Sequence, residues 1–564
     1  MALACGGREA LSMNQHRWPR AAQAWFALFV LALAVGAFLR WYQLGTQILL
    51  DDEWHAIHTL LRADARDIAT HLGLADYSIP LTLYYRCLYL YGGLSEWGMH
   101  LPMLICGVAL LVVAPWLLRR QASPATLAIW SALLAISPLL VYHSRTARPY
   151  AVTSLLTFVA IIAFREWWNR SEKRERWAIT YVACTFLAGW LHLITLPFTL
   201  LPFIFFSIAV LRNFFGPVGA GGWRDLARLL LLGVLTAAPL AVALLPPMLN
   251  DWGALAAKAG TDTVSAESAY RSLLMCFGIA RPIVFATLVL LLALGVRSWW
   301  RRDAMFVTYL GTIVIGAAIA VALSHPAWVQ HPGTYARYLQ PAIPFLLLGV
   351  AEGIATAISR LATLAQFAAA LVVPAALFAA GPIPGYLYNP NQFMGHPYFQ
   401  FDYDSVHNLY RTQLPDGPIS VFYRRLAALP PRSLTLIEAP WSLRTDHDPE
   451  PLYQKLHRQY VKIGLVAPEC GESGYGDYPE SSGMRLAQFV HLSALLRGDT
   501  QGADFLVMHL HAWPQNQPPP PQWPDVTACL SRVEQHFGAP VYGDDEIEVF
   551  ALSAAARNMM TAQR

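Results

Sequence analysis

The chain has 564 residues, of which 55% are hydrophobic and only 13% charged, with a formal net charge of +4 and a mean hydropathy of +0.38. That balance is too apolar for a soluble globular protein of this length and indicates an integral membrane protein. The basic residues cluster in short loops between apolar runs, a topology signal that gives no support to nucleic-acid binding. The seven cysteines form no CxxC or CxxH pair, so no zinc ribbon or thioredoxin-like motif is expected.

Apolar runs of spanning length begin near Trp25, Leu101, Thr126, Ala151, Ala178, Pro197, Leu229, Pro282, Phe306, Leu339 and Leu364, which predicts about eleven transmembrane helices. The first run is roughly 20 residues long and is followed by no small-residue cleavage site, so it reads as a retained anchor. Arg17 and Arg20, Arg119 and Arg120, the stretch REWWNRSEKRERW from Arg165, then Arg212, RSWWRR from Arg297 and Arg360 mark the cytoplasmic loops and a cytoplasmic N-terminus. The outside or periplasm then receives the loop 44–98, HSRTARPY from His143, the turn near His192, the segment 248–280, SHPAWVQHPGTYAR from Ser324, and everything after about residue 381.

Within the loop 44–98, WHAIHTLLRADARDIATHLG and PLTLYYRCLYLYGG are amphipathic and too polar to span, so they are expected to lie along the membrane surface. Residues 1–380 read as a membrane domain and 381–564 as a periplasmic α/β domain with its own core. Strands are expected at SLTLIEA, VKIGLVA, ADFLVMHL and EIEVFAL, and helices at DPEPLYQKLHRQY and DVTACLSRVEQHF. QNQPPPPQWP, residues 515–524, is a stiff polyproline connector. Cys470 and Cys529 are the only cysteines of this domain, and the sequence leaves open whether they are bonded.

ILLDDEWHAIH, residues 48–58, places Asp51, Asp52 and Glu53 directly after the first span. Ionised carboxylates are costly in hydrocarbon, so these acids belong at a water-accessible edge or in a polar cavity, and are candidate functional groups. The alternative is a solvated helix N-terminus favoured by the helix dipole. Asp51, His55 and His58 share one helical face and form a candidate site for a divalent cation, the alternative being local hydrogen bonding. Arg145 and Arg148 start a span from the periplasmic side, where basic residues are disfavoured. They are therefore candidate phosphate clamps, unless they pair with Asp76 or Glu96. Arg337 with Tyr338 repeats that situation. Asp76, His192, Lys258, His325 and His331 are further candidates for the same cavity, with the segment around Lys258 a candidate lid.

The ordered series LDDEWHAIH, DYSIPLTLYY, GLSEWGMHLPMLICG, YHSRTARPYAV and ARYLQPAIPFLLL resembles the bacterial GT-C glycosyltransferases of the protein mannosyltransferase and lipid A aminoarabinose transferase type, over roughly residues 25 to 380. The resemblance implies a GT-C membrane domain in the inner membrane. It also implies an inverting transfer of a monosaccharide from a polyprenyl-phosphate donor to a hydroxyl of a glycan, lipid or protein. It assigns Asp52 as the base or acceptor-orienting carboxylate and Glu53 as its organiser, while the place of Arg145, Arg148, Arg337 and Tyr338 at external helix starts makes them the candidate contacts to the donor phosphate. Such a donor leaves as a phosphate that needs no general acid, so one carboxylate suffices. A glycoside hydrolase would need two. The chain departs from the family pattern at His100, where relatives carry an arginine, and at TARPYAV, which lacks an acid after the SR pair. The rival readings are a lipid-linked sugar flippase, with ionisable groups inside its spans, and a membrane-anchored receptor or assembly protein, which does not need the periplasmic arginines.

Overall fold

The computed structural model describes residues 20–42, 44–46, 49, 53–72, 78–170, 172–214, 222–258, 260, 262–279, 281–384, 419–440, 453, 456–471, 483–511 and 526–562. The first span is α1 (Arg20–Trp41), and three short helices follow: α2 (Trp54–Arg62), α3 (Ala65–Thr70) and α4 (Ile79–Leu90). The chain continues through α5 (Glu96–Leu118), α6 (Pro124–Ala135), α7 (Pro138–His143), α8 (Tyr150–Asn169), α9 (Arg174–Leu191), α10 (Leu196–Phe214) and α11 (Gly222–Asn250). After α12 (Trp252–Lys258) and α13 (Ala266–Phe277) come α14 (Pro282–Arg302), α15 (Ala304–Leu323), α16 (Pro332–Tyr338), α17 (Ile343–Ile358) and α18 (Thr363–Ala380).

All eleven apolar runs become helices, and nine among the described residues are long and apolar enough to cross a membrane. The run from Thr126 stops at Ala135 as a shorter apolar helix, because Pro138 cannot extend it and instead opens α7. The run from Ala178 is α9, whose first turn brings in Arg174, Glu175 and Arg176 and makes it more polar than the other spans. Helix starts follow capping chemistry: Ser95 accepts from the Gly98 amide (3.1 Å), Ser123 from Thr126 (3.1 Å) and Asp303 from Phe306 (2.9 Å).

One large core joins these helices, and three of its buried polar tips are satisfied by backbone oxygens. Trp130 Nε1 donates to the Pro344 carbonyl (2.8 Å), the Tyr309 hydroxyl to Ile161 (2.7 Å) and the Tyr181 hydroxyl to Thr199 (2.7 Å). The tightest crossing is between α14 and α17, where Gly295 faces Gly349 and Gly353 faces Leu291; a Cβ at Gly295 or Gly353 would overlap a facing carbonyl oxygen. GVAEG, residues 349–353, is the small-xxx-small pattern that permits such an approach. Beside it, Glu352 accepts from Thr126 (2.8 Å) and Ser298 (2.7 Å) and pairs with Arg302, while Arg165 pairs with Asp303 (2.6 Å). These pairs all lie at one end of the bundle.

The C-terminal part is α/β, as its alternating pattern predicts. It comprises α19 (Val421–Ala427), β1 (Thr435–Ala439), β2 (Tyr460–Leu465), β3 (Phe489–His491), α20 (Leu492–Leu496), β4 (Phe505–His509), α21 (Thr527–Phe537), β5 (Tyr542–Gly543), β6 (Ile547–Ala551) and α22 (Ala554–Ala562). The six strands lie in the order β3-β2-β1-β4-β6-β5, the first four parallel and β6 and β5 antiparallel. Four strands match the sequence reading, while β3 and β5 are too short to announce themselves. Ile437, Leu506 and Met508 bury against Cys529 and Val533 of α21, and Leu436, Phe505 and Val507 against α19 and α22. Cys470 and Cys529 form a disulfide. The polyproline connector and most of DPEPLYQKLHRQY lie outside the described residues.

The sheet sits on the first loop. Val461 and Ile463, register partners of Leu436 and Glu438, pack with Phe489 onto Ala56, Ile57 and Leu60 of α2 and onto Tyr85 of α4. The apolar faces of the amphipathic stretches are thus spent on this shared core. Glu96, at the start of α5, accepts from the amides of Ala487 (2.9 Å) and Gln488 (2.7 Å), and the Arg485 amide donates to the Leu94 carbonyl (2.7 Å).

Candidate functional site

The last carbonyls of a helix need donors from elsewhere. For α1 these come from Arg145, whose Nη1 donates to the carbonyls of Leu39 (3.1 Å), Arg40 (3.2 Å) and Tyr42 (2.6 Å). Arg40, fully buried, donates through Nη1 to Gly36 (2.9 Å) and Ala135 (3.1 Å) and through Nη2 to Leu134 (3.2 Å), so it caps α6 as well. Burial pushes the Arg145 guanidinium down to about 9, which leaves it cationic at neutral pH. These two arginines tie the ends of α1 and α6 to the turn that leads into α8.

Glu53 immediately precedes α2 and is buried. Its Oε1 accepts from the Ala147 amide (2.5 Å) and is hydrogen-bonded to His100 Nε2 (2.9 Å). From the other side the Tyr85 hydroxyl shares its one hydrogen between the carbonyls of Ala147 (3.1 Å) and Met99 (3.2 Å). Both backbone polar groups of Ala147 are therefore held, and they fix the path of the buried segment from Arg145 to Tyr150. His100, an ionisable residue in the second turn of α5, here meets the carboxylate that follows Asp52 in the sequence.

The rest of the turn forms a cationic and aromatic cluster around Tyr150. The Arg148 guanidinium lies 5.9 Å from the Tyr150 ring centroid, and that of Arg337 lies 5.7 Å from it and 5.4 Å from the Tyr338 ring. The His143 ring is 4.7 Å from Tyr150, and the His192 ring is 5.3 Å from Tyr150 and 5.8 Å from Tyr338. Turns from three places in the sequence, the one joining α7 to α8 and those ending α9 and α16, thus deliver these side chains to one end of the bundle. The Tyr150 carbonyl accepts from Ser154 (2.7 Å), Thr153 (3.1 Å) and Gln340 (3.4 Å), which secures the ring's backbone. Arginine beside aromatic rings is a planar, permanently charged donor group, the chemistry that recognises phosphate.

Of the sequence candidates, Arg148, Arg337, Tyr338 and His192 meet in this cluster, Glu53 stands on the far side of the Ala147 peptide, and Arg145 faces the end of α1. Glu96, an alternative partner for the arginines, is engaged by Ala487 and Gln488 instead. His325 Nδ1 is bonded to the Asp262 carbonyl (2.8 Å), and His331 stacks on Trp328 at 5.4 Å. Asp51, Asp52 and Asp76, and the side chains of His55 and Lys258, lie outside the described residues. Among the described residues no group of three or more His, Cys, Asp or Glu side chains gathers for a metal, a finding that leaves the Asp51, His55 and His58 set untested. In the 248–280 segment, α13 packs beneath α16, with the Ser272 hydroxyl donating to the Pro332 carbonyl (2.8 Å). Sequence reasoning gave no role to His100, His143, Tyr85 or Arg40. Of these, His100 and Arg40 carried a signal, as ionisable residues near the ends of apolar spans.

No family model matches the chain, and no curated protein matches it. Among solved structures, the crystal structure of ArnT from Cupriavidus metallidurans bound to undecaprenyl phosphate is similar over 95% of this chain and 99% of its own, at 14% identity and a TM-score of 0.45. The Archaeoglobus fulgidus oligosaccharyltransferase complexed with zinc and sulfate is similar over 86% of this chain and 68% of its own, at 14% identity and a TM-score of 0.41. The same archaeal enzyme, AglB, with an inhibitory peptide and a dolichol-phosphate gives 13% identity and a TM-score of 0.39, over 86% and 69% of the two chains.

Proposed function

We propose that this chain is an inverting glycosyltransferase that moves a monosaccharide from a polyprenyl-phosphate donor to an acceptor hydroxyl at the periplasmic face of the inner membrane. The observation that carries the reading is the convergence of Arg148 and Arg337 on Tyr150, beside the peptide that Glu53 holds. In this reading the acceptor oxygen attacks the anomeric carbon as the bond to the phosphate oxygen breaks, and the stereochemistry inverts. Asp52, the residue before Glu53, takes the hydroxyl proton. The negative charge gathering on the departing phosphate is met by Arg148 and Arg337. Glu53, committed to Ala147 and His100, positions the acidic stretch and does not itself carry the proton.

The test uses the full chain in mild detergent, with polyprenyl-phosphate sugars extracted from host membranes as the donor pool. Asp52→Asn is expected to lower donor consumption by about 10²–10⁴-fold while still retaining polyprenyl phosphate, read by mass spectrometry of copurified lipid. Arg148→Gln and Arg337→Gln are expected to lose the lipid as well. Undiminished turnover by Asp52→Asn overturns the base, and undiminished lipid retention by both arginine variants overturns the phosphate site.

A further inference from the structure

At the opposite end of the bundle, the C-terminal ends of α5 and α8 and the N-terminal end of α9 enclose a cavity of about 860 Å³. Five cationic side chains and two carboxylates line it. One of the carboxylates, Glu166, is already engaged by Arg170, Arg165 (3.6 Å) and Gln121 (3.2 Å). Arg119 lies over the Trp116 ring at 4.4 Å. Arg120, Lys173 and Arg176 line the cavity with no ion pair among the described residues, which leaves a surplus of positive charge. The remainder of the wall is of another kind: Val113, Leu117 and Val159 form an apolar floor, and Trp116 and Trp177 stand at its rim. Tryptophans at the ends of spans mark the depth of lipid headgroups.

We propose that this cavity holds an anionic phospholipid, its phosphate among Arg120, Lys173 and Arg176 and an acyl chain along the apolar floor. The basic wall selects phosphate. The floor favours a lipid over a free anion, because an inorganic phosphate gains nothing from apolar surface. Lys173 caps α9 with a left-handed backbone (φ 58°), which holds its side chain at the turn between α8 and α9. The inference is independent of the proposed transferase chemistry, which lies at the other end of the helices.

Native mass spectrometry of the full chain from mild detergent, with phosphatidylglycerol, phosphatidylcholine or inorganic phosphate added, tests it. The wild type is expected to retain one phosphatidylglycerol about tenfold more than phosphatidylcholine. The Arg120→Gln, Lys173→Asn, Arg176→Gln triple variant is expected to lose that preference. Asparagine is chosen at 173 because it tolerates the left-handed backbone. Should the triple variant fail to fold, the single variants are each expected to lower the preference severalfold. Equal retention of the two lipids by the wild type, or an unchanged preference in folded variants, overturns the site. Displacement of phosphatidylglycerol by inorganic phosphate assigns the cavity to a free anion and overturns the lipid.

Discussion

Single side chains show how burial and partners set chemistry in this protein. His457, fully buried in the C-terminal domain, accepts the Gln459 amide through Nδ1 (3.0 Å), so it must be neutral there, and burial pushes it down to about 3. Its folded value lies below its unfolded one, so the unfolded chain binds the proton first as pH falls. The stability it contributes is complete above the ordinary histidine range and is lost below pH of about 6.5, at no more than about 1.4 kcal/mol per pH unit. Thermal unfolding of the domain in the full chain should therefore shift to lower temperature between about pH 7 and about pH 5, and His457→Asn should flatten that dependence. A wild-type midpoint that does not move over this range would refute the assignment. Arg145 teaches a related lesson. Its place just before an apolar span was plain in the sequence, but the partners that occupy it, the carbonyls of Leu39, Arg40 and Tyr42 more than a hundred residues away, were not.

Between elements, close approach decides more than composition does. The α14 and α17 backbones touch through Gly295, Gly349 and Gly353, and a side chain at 353 has only the Leu291 carbonyl to meet. Gly353→Val is expected to destabilise the detergent-solubilised protein by about 1–3 kcal/mol, seen as a lower unfolding temperature, and to loosen the neighbouring Arg302–Glu352 pair. An unaltered unfolding temperature would mean the two helices do not cross there. The positions of the helices were legible because a run of apolar residues and its flanking arginines act locally. The interruption of the Thr126 run was signalled by Pro138, but its length could not be read from hydropathy alone. The cluster around Tyr150 was half legible: the arginines were conspicuous, whereas His143 and Tyr150 became meaningful only when α7, α9 and α16 brought their ends together.

Over the whole molecule, the sheet and the membrane helices share one core through the first loop. Two amides of the sheet domain fall on a single carboxylate, so Glu96→Ala is expected to weaken docking by about 2 kcal/mol. The readout is faster hydrogen exchange at Ala487 and Gln488, and unchanged protection of those amides would show that the docking rests on apolar contact alone. That an α/β part follows the membrane helices was readable from the alternation of its strand and helix patterns. The seat of one on the other was not, because Glu96 and residues 484–489 are nearly four hundred positions apart. Arg40 extends this interdependence back to biogenesis. It lies at the end of the first span, and two of its three acceptors are carbonyls of α6, which is synthesised about ninety residues later. Until α6 arrives, the first helix carries a charge whose full set of acceptors does not exist, so it must wait with that end in the wet interface. The arginine therefore makes insertion of α1 provisional and its final depth dependent on a later segment, an order of assembly written into one side chain.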